Sequence, residues 1–168
     1  RKLLHQKSGL AINTNKVYLL ESRLTPLARK RGLETMDQLI AELRNNRDES
    51  LVTEVVDVMT TNESFFFRDQ TPFDILQNTS LPHVKATKSA ENNLNIWCCA
   101  ASSGQEPYSI AMILREEWNY WKNWNIRILG TDISDRILKR ASEGVYSQFE
   151  VQRGLPIKMM MTYFEQQG

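Results

Sequence analysis

Ile96-Trp97-Cys98-Cys99-Ala100-Ala101-Ser102-Ser103-Gly104-Gln105-Glu106-Pro107-Tyr108-Ser109 is an apolar run that breaks into small residues and restarts as a helix. That order is the layout of a strand–loop–helix nucleotide site. Small residues let backbone approach a ligand closely, and the helix N-terminus offers unpaired N–H groups to it. A second apolar run ends in Thr131-Asp132 about one crossover later. An acid at the carboxyl end of such a strand is placed to accept hydrogen bonds from ribose hydroxyls. Upstream stands Thr60-Thr61-Asn62-Glu63-Ser64-Phe65-Phe66-Phe67-Arg68-Asp69, a polar-then-aromatic stretch that a nucleotide fold alone does not explain.

Around these segments the chain reads as helices. Val17, Leu20, Leu24 and Leu27 repeat at three and four, and Gly32 is a stop for that helix. Thr35 is placed to cap a second helix carrying Leu39, Ile40 and Leu43, and Val52, Val55, Val56 and Met59 form a third stripe. Thr71-Pro72 reads as a cap followed by a first-turn proline, opening a helix through Phe73 and Leu76. Residues 79–93 are polar, contain Pro82 and lack periodicity, which predicts a linker. The organisation expected is a helical domain over 1–78, a linker over 79–93, and the first part of an α/β domain over 94–168. Within the last, strands are expected at Leu94–Ala100 and Ile126–Thr131. Helices are expected from Gln105 through Trp118, after Ser134 to Gly144, and after Leu155-Pro156 through Phe164. Two parallel strands cannot bury both faces of a sheet well, so the chain reads as part of a longer protein.

Of 168 residues, 41% are hydrophobic and 24% charged, an ordinary globular balance. A net charge of +1 supplies no bulk attraction to nucleic acid or acidic membranes. Cys98 and Cys99 are neighbours in a strand and point to opposite faces, which disfavours a disulfide between them. No CxxC or Cys/His spacing suggests a metal. Both read as buried thiols of a reducing compartment. With no membrane-length apolar run and no signal-peptide core, the expected location is the cytoplasm.

The motifs together resemble the chemotaxis receptor methyltransferases of the CheR type. The resemblance rests on Met59-Thr60-Thr61-Asn62 through Phe66-Phe67-Arg68-Asp69, and on Ser102-Ser103-Gly104-Gln105-Glu106-Pro107-Tyr108-Ser109-Ile110-Ala111-Met112. It continues through Gly130-Thr131-Asp132-Ile133-Ser134, Gly144-Val145-Tyr146-Ser147 and Glu150-Val151-Gln152-Arg153-Gly154-Leu155-Pro156, with Glu21-Ser22-Arg23-Leu24 in the helical part. It is collinear from about Gly9 to the end. It implies an α/β, Rossmann-like S-adenosylmethionine-dependent methyltransferase core, incomplete in this chain, behind a small all-α domain. It further implies transfer of a methyl group to glutamate side chains of chemoreceptors, leaving S-adenosylhomocysteine. The family's cofactor contacts map onto Asn62, Ser64, Arg68, Ala100, Glu106 and Asp132, with Arg68 also in the catalytic role. Arginine suits that place because its planar fork holds a carboxylate in two hydrogen bonds. The plainer alternative pairs Arg68 with Asp69 or Asp74. Two positions depart from the commoner pattern: Ala100 stands where glycine is frequent, and Gln105 where glutamate is.

A glutamate substrate is ionised at neutral pH and needs no general base, so His5 and His83 read as solvated residues. Arg23, Arg29, Lys30 and Arg31 cluster near the end of the first long helix. They are read as a basic face that docks the acidic methylation helices of a receptor, against the plainer reading of a solvated helix cap. The enzyme is expected to be a monomer. Two other readings stand beside this one: an adenosyl-sensing or receptor-binding module without turnover, and a nicotinamide-dependent enzyme. The second lacks the glycine fingerprint.

Overall fold

The computed structural model describes residues 2–45 and 48–167, so the outermost residues of the expected domain limits, 1 and 168, lie outside it. By contacts the chain divides into two compact units, Arg1–Thr61 with Ile133–Arg136, and Asn62–Asp132 with Ile137–Gly168. The division therefore falls at Thr61/Asn62, ahead of the expected break at residue 78.

The first unit holds α1 (Lys2–Ser8), a 3-10 turn at Thr14–Lys16, α2 (Val17–Lys30), α3 (Met36–Asn45) and α4 (Glu49–Met59). Its core joins Leu24, Leu27 and Ala28 of α2 to Leu39 of α3 and to Leu51, Val55, Val56 and Met59 of α4. Thr35 caps α3 as expected: its hydroxyl accepts the Gln38 N–H, while the Gln38 amide oxygen accepts the Thr35 N–H. Ile40, placed in the buried stripe by its spacing, is exposed, and Leu51 takes a core position that the stripe omitted. Ser134 turns its hydroxyl to the Asp57 carboxylate, which also accepts Arg136 Nε at 2.7 Å.

The second unit begins with α5 (Thr71–Ile75), a π-helical turn (Leu76–Ser80) and α6 (Leu81–Thr87). The stretch expected to be a linker is thus largely helical. Pro82 sits in the first turn of α6, where its missing N–H costs nothing, and Leu81 is 2% exposed. Gln70 rather than Thr71 occupies the cap position of α5. There follow β1 (Asn93–Cys99), α7 (Gln105–Glu116), the short α8 (Trp118–Trp121) and β2 (Asn125–Thr131). The last elements are α9 (Asp135–Glu143), whose first two residues go with the first unit, then α10 (Gln148–Gln152) and α11 (Ile157–Tyr163). β1 and β2 pair in parallel, with Leu94 opposite Ile126 and Cys98 opposite Gly130.

One sheet face, with Leu94, Ile96 and Cys98, packs into a core with Ile110, Ile113 and Leu114 of α7 and Phe66. On the other face Trp97 is 67% exposed and Leu129 47%. The pair of strands thus leaves one face open. Cys98 is buried as expected, but Cys99, also expected to be buried, is exposed, because alternation turns it to the open face with Trp97; both are free thiols. α10, unforeseen from periodicity, is opened by a capping box in which Ser147 and Glu150 satisfy each other's backbone N–H groups.

Candidate functional site

The loop between β1 and α7 is held in costly backbone geometry. Ala100 has φ +63° and Ser102 +51°, and Gly104 closes the series at +95°. The left-handed region costs a non-glycine residue roughly 1–2 kcal/mol, so two such residues in five need compensation. The compensation is visible. Ala101 N–H donates to the Thr131 carbonyl at 2.9 Å, Ser102 N–H donates to the Asp132 carboxylate at 2.9 Å, and Gly104 N–H returns to the Ala101 carbonyl at 3.0 Å. Ser102 Oγ donates to the Asn62 carbonyl at 3.0 Å. Ser102, absent from the expected site residues, therefore joins three motifs that are far apart in sequence. Its only signal was its place between a strand and a helix.

Behind the loop lies a buried polar network. Ser103 Oγ donates to the Gln105 amide oxygen at 2.8 Å, and Tyr146 Oη donates to the Ser103 carbonyl at 2.6 Å. Ser109 Oγ donates to the Gln105 carbonyl at 2.7 Å and accepts the Phe67 N–H at 3.0 Å. Gln105 is 1% exposed. A neutral amide fits there, whereas a carboxylate would lose its hydration without a cation to replace it. Burial, with Tyr108 nearby, pushes the Tyr146 phenol well above its ordinary value, so it remains a donor. Burial also pushes the Cys98 thiol up to about 12, with the charge and hydrogen bond of the nearby Glu106 adding to it. A neutral thiol at that place is an inert core group.

Of the remaining expected cofactor residues, Asn62 meets this loop through its carbonyl. Glu106 is exposed in the first turn of α7, where an acid also suits the helix dipole. Asn62 and Ser64 are half-buried. Arg68 is 49% exposed; its Nη1 donates to the Glu63 carbonyl at 2.7 Å, and its Nε lies 3.8 Å from Asp69. The long Asp69 contact is a weak surface pair, so the guanidinium retains donors for a ligand carboxylate. The N–H groups of Ala101, Ser102 and Gly104 are taken up within the protein, which leaves the arginine as the half-exposed donor among these residues. A cleft of about 670 Å³ lined by Tyr108, Met112, Arg115, Tyr146 and Phe164 contains none of the expected cofactor residues.

The four basic residues of the first unit do not form one free face. Arg23 donates to the carbonyls of Met59 at 2.8 Å and Thr60 at 3.3 Å, and to Thr61 Oγ1 at 3.2 Å, capping the end of α4. Arg31 bridges Glu54 at 3.0 Å and Asp48 at 3.3 Å and donates to Ser50 Oγ at 2.8 Å. These contacts raise the Arg31 pKa, the Glu54 hydrogen bond most, and burial opposes them. Lys30 reaches Glu54 at 3.7 Å but is 73% exposed. Arg29 is exposed and makes no ion pair among the described residues. Of the expected basic face, Arg29 and Lys30 are presented outward.

Comparison with known proteins places both units. Residues 1–60 match the family described as "CheR methyltransferase, all-alpha domain" and residues 62–168 that described as "CheR methyltransferase, SAM binding domain". A chemotaxis protein methyltransferase of Vibrio parahaemolyticus is 38% identical over 99% of this chain and 60% of its own length. Chemotaxis protein methyltransferase 1 of Pseudomonas aeruginosa is 35% identical over 100% of the chain and 62% of its own. A chemotaxis protein methyltransferase of Borreliella burgdorferi is 33% identical over 98% and 59%. The chain thus spans about three fifths of the length of the curated relatives it matches. The boundary between the two matched domains coincides with the division between the two compact units. With a helical unit matched by one of these models and the strand–loop–helix unit matched by the other, the chain belongs to the CheR methyltransferase family.

Proposed function

We propose that the protein transfers the methyl group of S-adenosylmethionine to glutamate side chains of chemoreceptors and so tunes chemotactic adaptation. The observation that carries this is the Asp132–Ser102 contact, which presents an acid and a strained loop together at the carboxyl ends of the two strands. In this reading Asp132 and Glu106 hold the adenosine end, the loop at Ala100 lies against the cofactor, and Asn62, Ser64 and Arg68 take its amino-acid end. The cofactor supplies an electrophilic methyl group on a sulfonium. The chain's own task is to orient that group toward an ionised substrate carboxylate and to exclude water as opposite charges are neutralised.

Arg29 and Lys30 supply the basic surface for acidic receptor helices, mainly through steering. The protein acts in the cytoplasm, as a monomer; no described helix is long and apolar enough to cross a membrane. The test is transfer of a labelled methyl group from S-adenosylmethionine to a receptor cytoplasmic domain by the full-length protein. Base-labile label on glutamates supports the proposal. Saturable cofactor binding without transfer would assign the chain to adenosyl sensing or receptor binding instead.

A further inference from the structure

The Arg153-Gly154 turn has no part in the cofactor chemistry above, yet it is packed against the segment that carries Asn62, Ser64 and Arg68. Gly154 has φ +87°, and a Cβ there would stand 2.0 Å from the Phe66 carbonyl oxygen and 3.1 Å from Phe65 Cδ2. Only glycine allows this approach, because the obstacle is backbone and cannot rotate away. Next to it, the Arg153 guanidinium lies 4.4 Å from the centre of the Phe65 ring, and its Nη2 is 3.2 Å from Glu63 Oε1. From the opposite end of the segment, the wholly buried Ser109 accepts the N–H of Phe67, which is itself at φ +53°. Phe66, also wholly buried, meets the Tyr146 and Phe164 rings edge-on at 5.1 and 5.4 Å.

We infer that Arg153, Gly154 and Ser109 are positioning residues: they clamp Glu63–Phe67 and thereby fix where the Arg68 guanidinium meets the cofactor's carboxylate. The inference rests on the assignment of Arg68 to that carboxylate. Arg68 follows the clamped Phe67 directly and returns a hydrogen bond to the Glu63 carbonyl inside the clamp, so a shift of the Phe66 peptide moves it.

A general loosening of the unit would weaken every ligand alike, whereas a displaced Arg68 weakens only ligands with a carboxylate. Titration of the full-length protein with S-adenosylhomocysteine and with 5′-methylthioadenosine, which lacks the amino-acid end, separates the two. Gly154→Ala should weaken S-adenosylhomocysteine by roughly tenfold or more, the cost of a small misplacement of a binding group. Arg153→Ala, a change at a half-exposed side chain, should weaken it in the same direction without endangering the fold. In both variants 5′-methylthioadenosine affinity should stay within about twofold. Equal losses for both ligands, or no loss in either variant, would overturn the inference. Arg68→Ala is the control. If it leaves the ratio of the two affinities unchanged, the assignment of Arg68 fails and the inference with it. If it changes the ratio while Arg153→Ala and Gly154→Ala do not, the inference alone fails.

Discussion

The Asp132 carboxylate accepts the backbone N–H of Ser102 at 2.9 Å, tying the end of β2 to the loop that leaves β1. The contact has a definite energetic role. A left-handed serine costs roughly 1–2 kcal/mol, while a hydrogen bond to a charged group contributes about 1.5–3 kcal/mol. The contact is therefore of the size needed to offset the strain at Ser102.

Ala100 carries a similar strain with no acid to offset it, at φ +63° and with its side chain exposed. Ala100→Gly should raise stability slightly or leave it within about 0.5 kcal/mol, against the usual loss of about 0.5–1 kcal/mol for that change. Ala100→Val should cost about 1–2 kcal/mol. Urea unfolding of the three proteins checks the order, and a normal Ala→Gly loss would contradict the strain.

Gln105→Glu places a carboxyl group where 1% of the residue is exposed. Burial raises the folded-state pKa of such a group above its unfolded value. The variant should therefore keep most of its stability below about pH 4.3 and lose about 1–3 kcal/mol as pH rises through the folded-state value. Unfolding measured from pH 4 to 8 on both proteins tests the sign.

Glu150 presents the reverse case. Burial pushes its carboxyl pKa up, but the Ser147 N–H and hydroxyl and the Arg140 guanidinium outweigh that, and the net value is below the usual carboxylate range. Its stabilising effect is fully present above the unfolded value and is lost as pH falls through the folded one. Ser147→Ala should cost about 1 kcal/mol by removing the cap of α10. Glu150→Gln should flatten the acid limb of the stability profile; an unchanged limb would contradict the assignment.

Arg31 and Arg29 should part company. Arg31 links the end of α2 to Asp48, Ser50 and Glu54 at the start of α4, whereas Arg29 is turned outward. Arg31→Glu should lower the melting temperature, less so at high salt, and Arg29→Glu should leave it unchanged. Only a loss of receptor methylation in Arg29→Glu with an intact melting curve would then report docking. Equal melting temperatures for the two variants would contradict the division.

The strand–loop–helix was legible because its signals are local. Alternation, small residues and a helical restart placed both strands within one residue of Asn93–Cys99 and Asn125–Thr131. What could not be read was set by partners distant in sequence. The left-handed Ser102 is a backbone state imposed by Asp132, and residue type alone does not announce it. Arg23 and Arg31 stand in a basic cluster in sequence, but their acceptors, Met59 and Glu54, lie on α4 and are distant in the chain. α6 carries no periodic stripe, because Leu81 is its one buried residue, and Pro82 lies at its beginning and does not break it. Ser147-Gln148-Phe149-Glu150 spells a capping box, a local signal that hydrophobic periodicity does not carry.

The most direct test of the cofactor site is calorimetric titration with S-adenosylhomocysteine of the unsubstituted protein, Asp132→Ala and Arg68→Ala. Saturable binding that weakens by about tenfold or more in each variant is the expected result, since each removes a charged hydrogen-bonding partner of about 1.5–3 kcal/mol. Unchanged affinity in both folded variants would contradict the site.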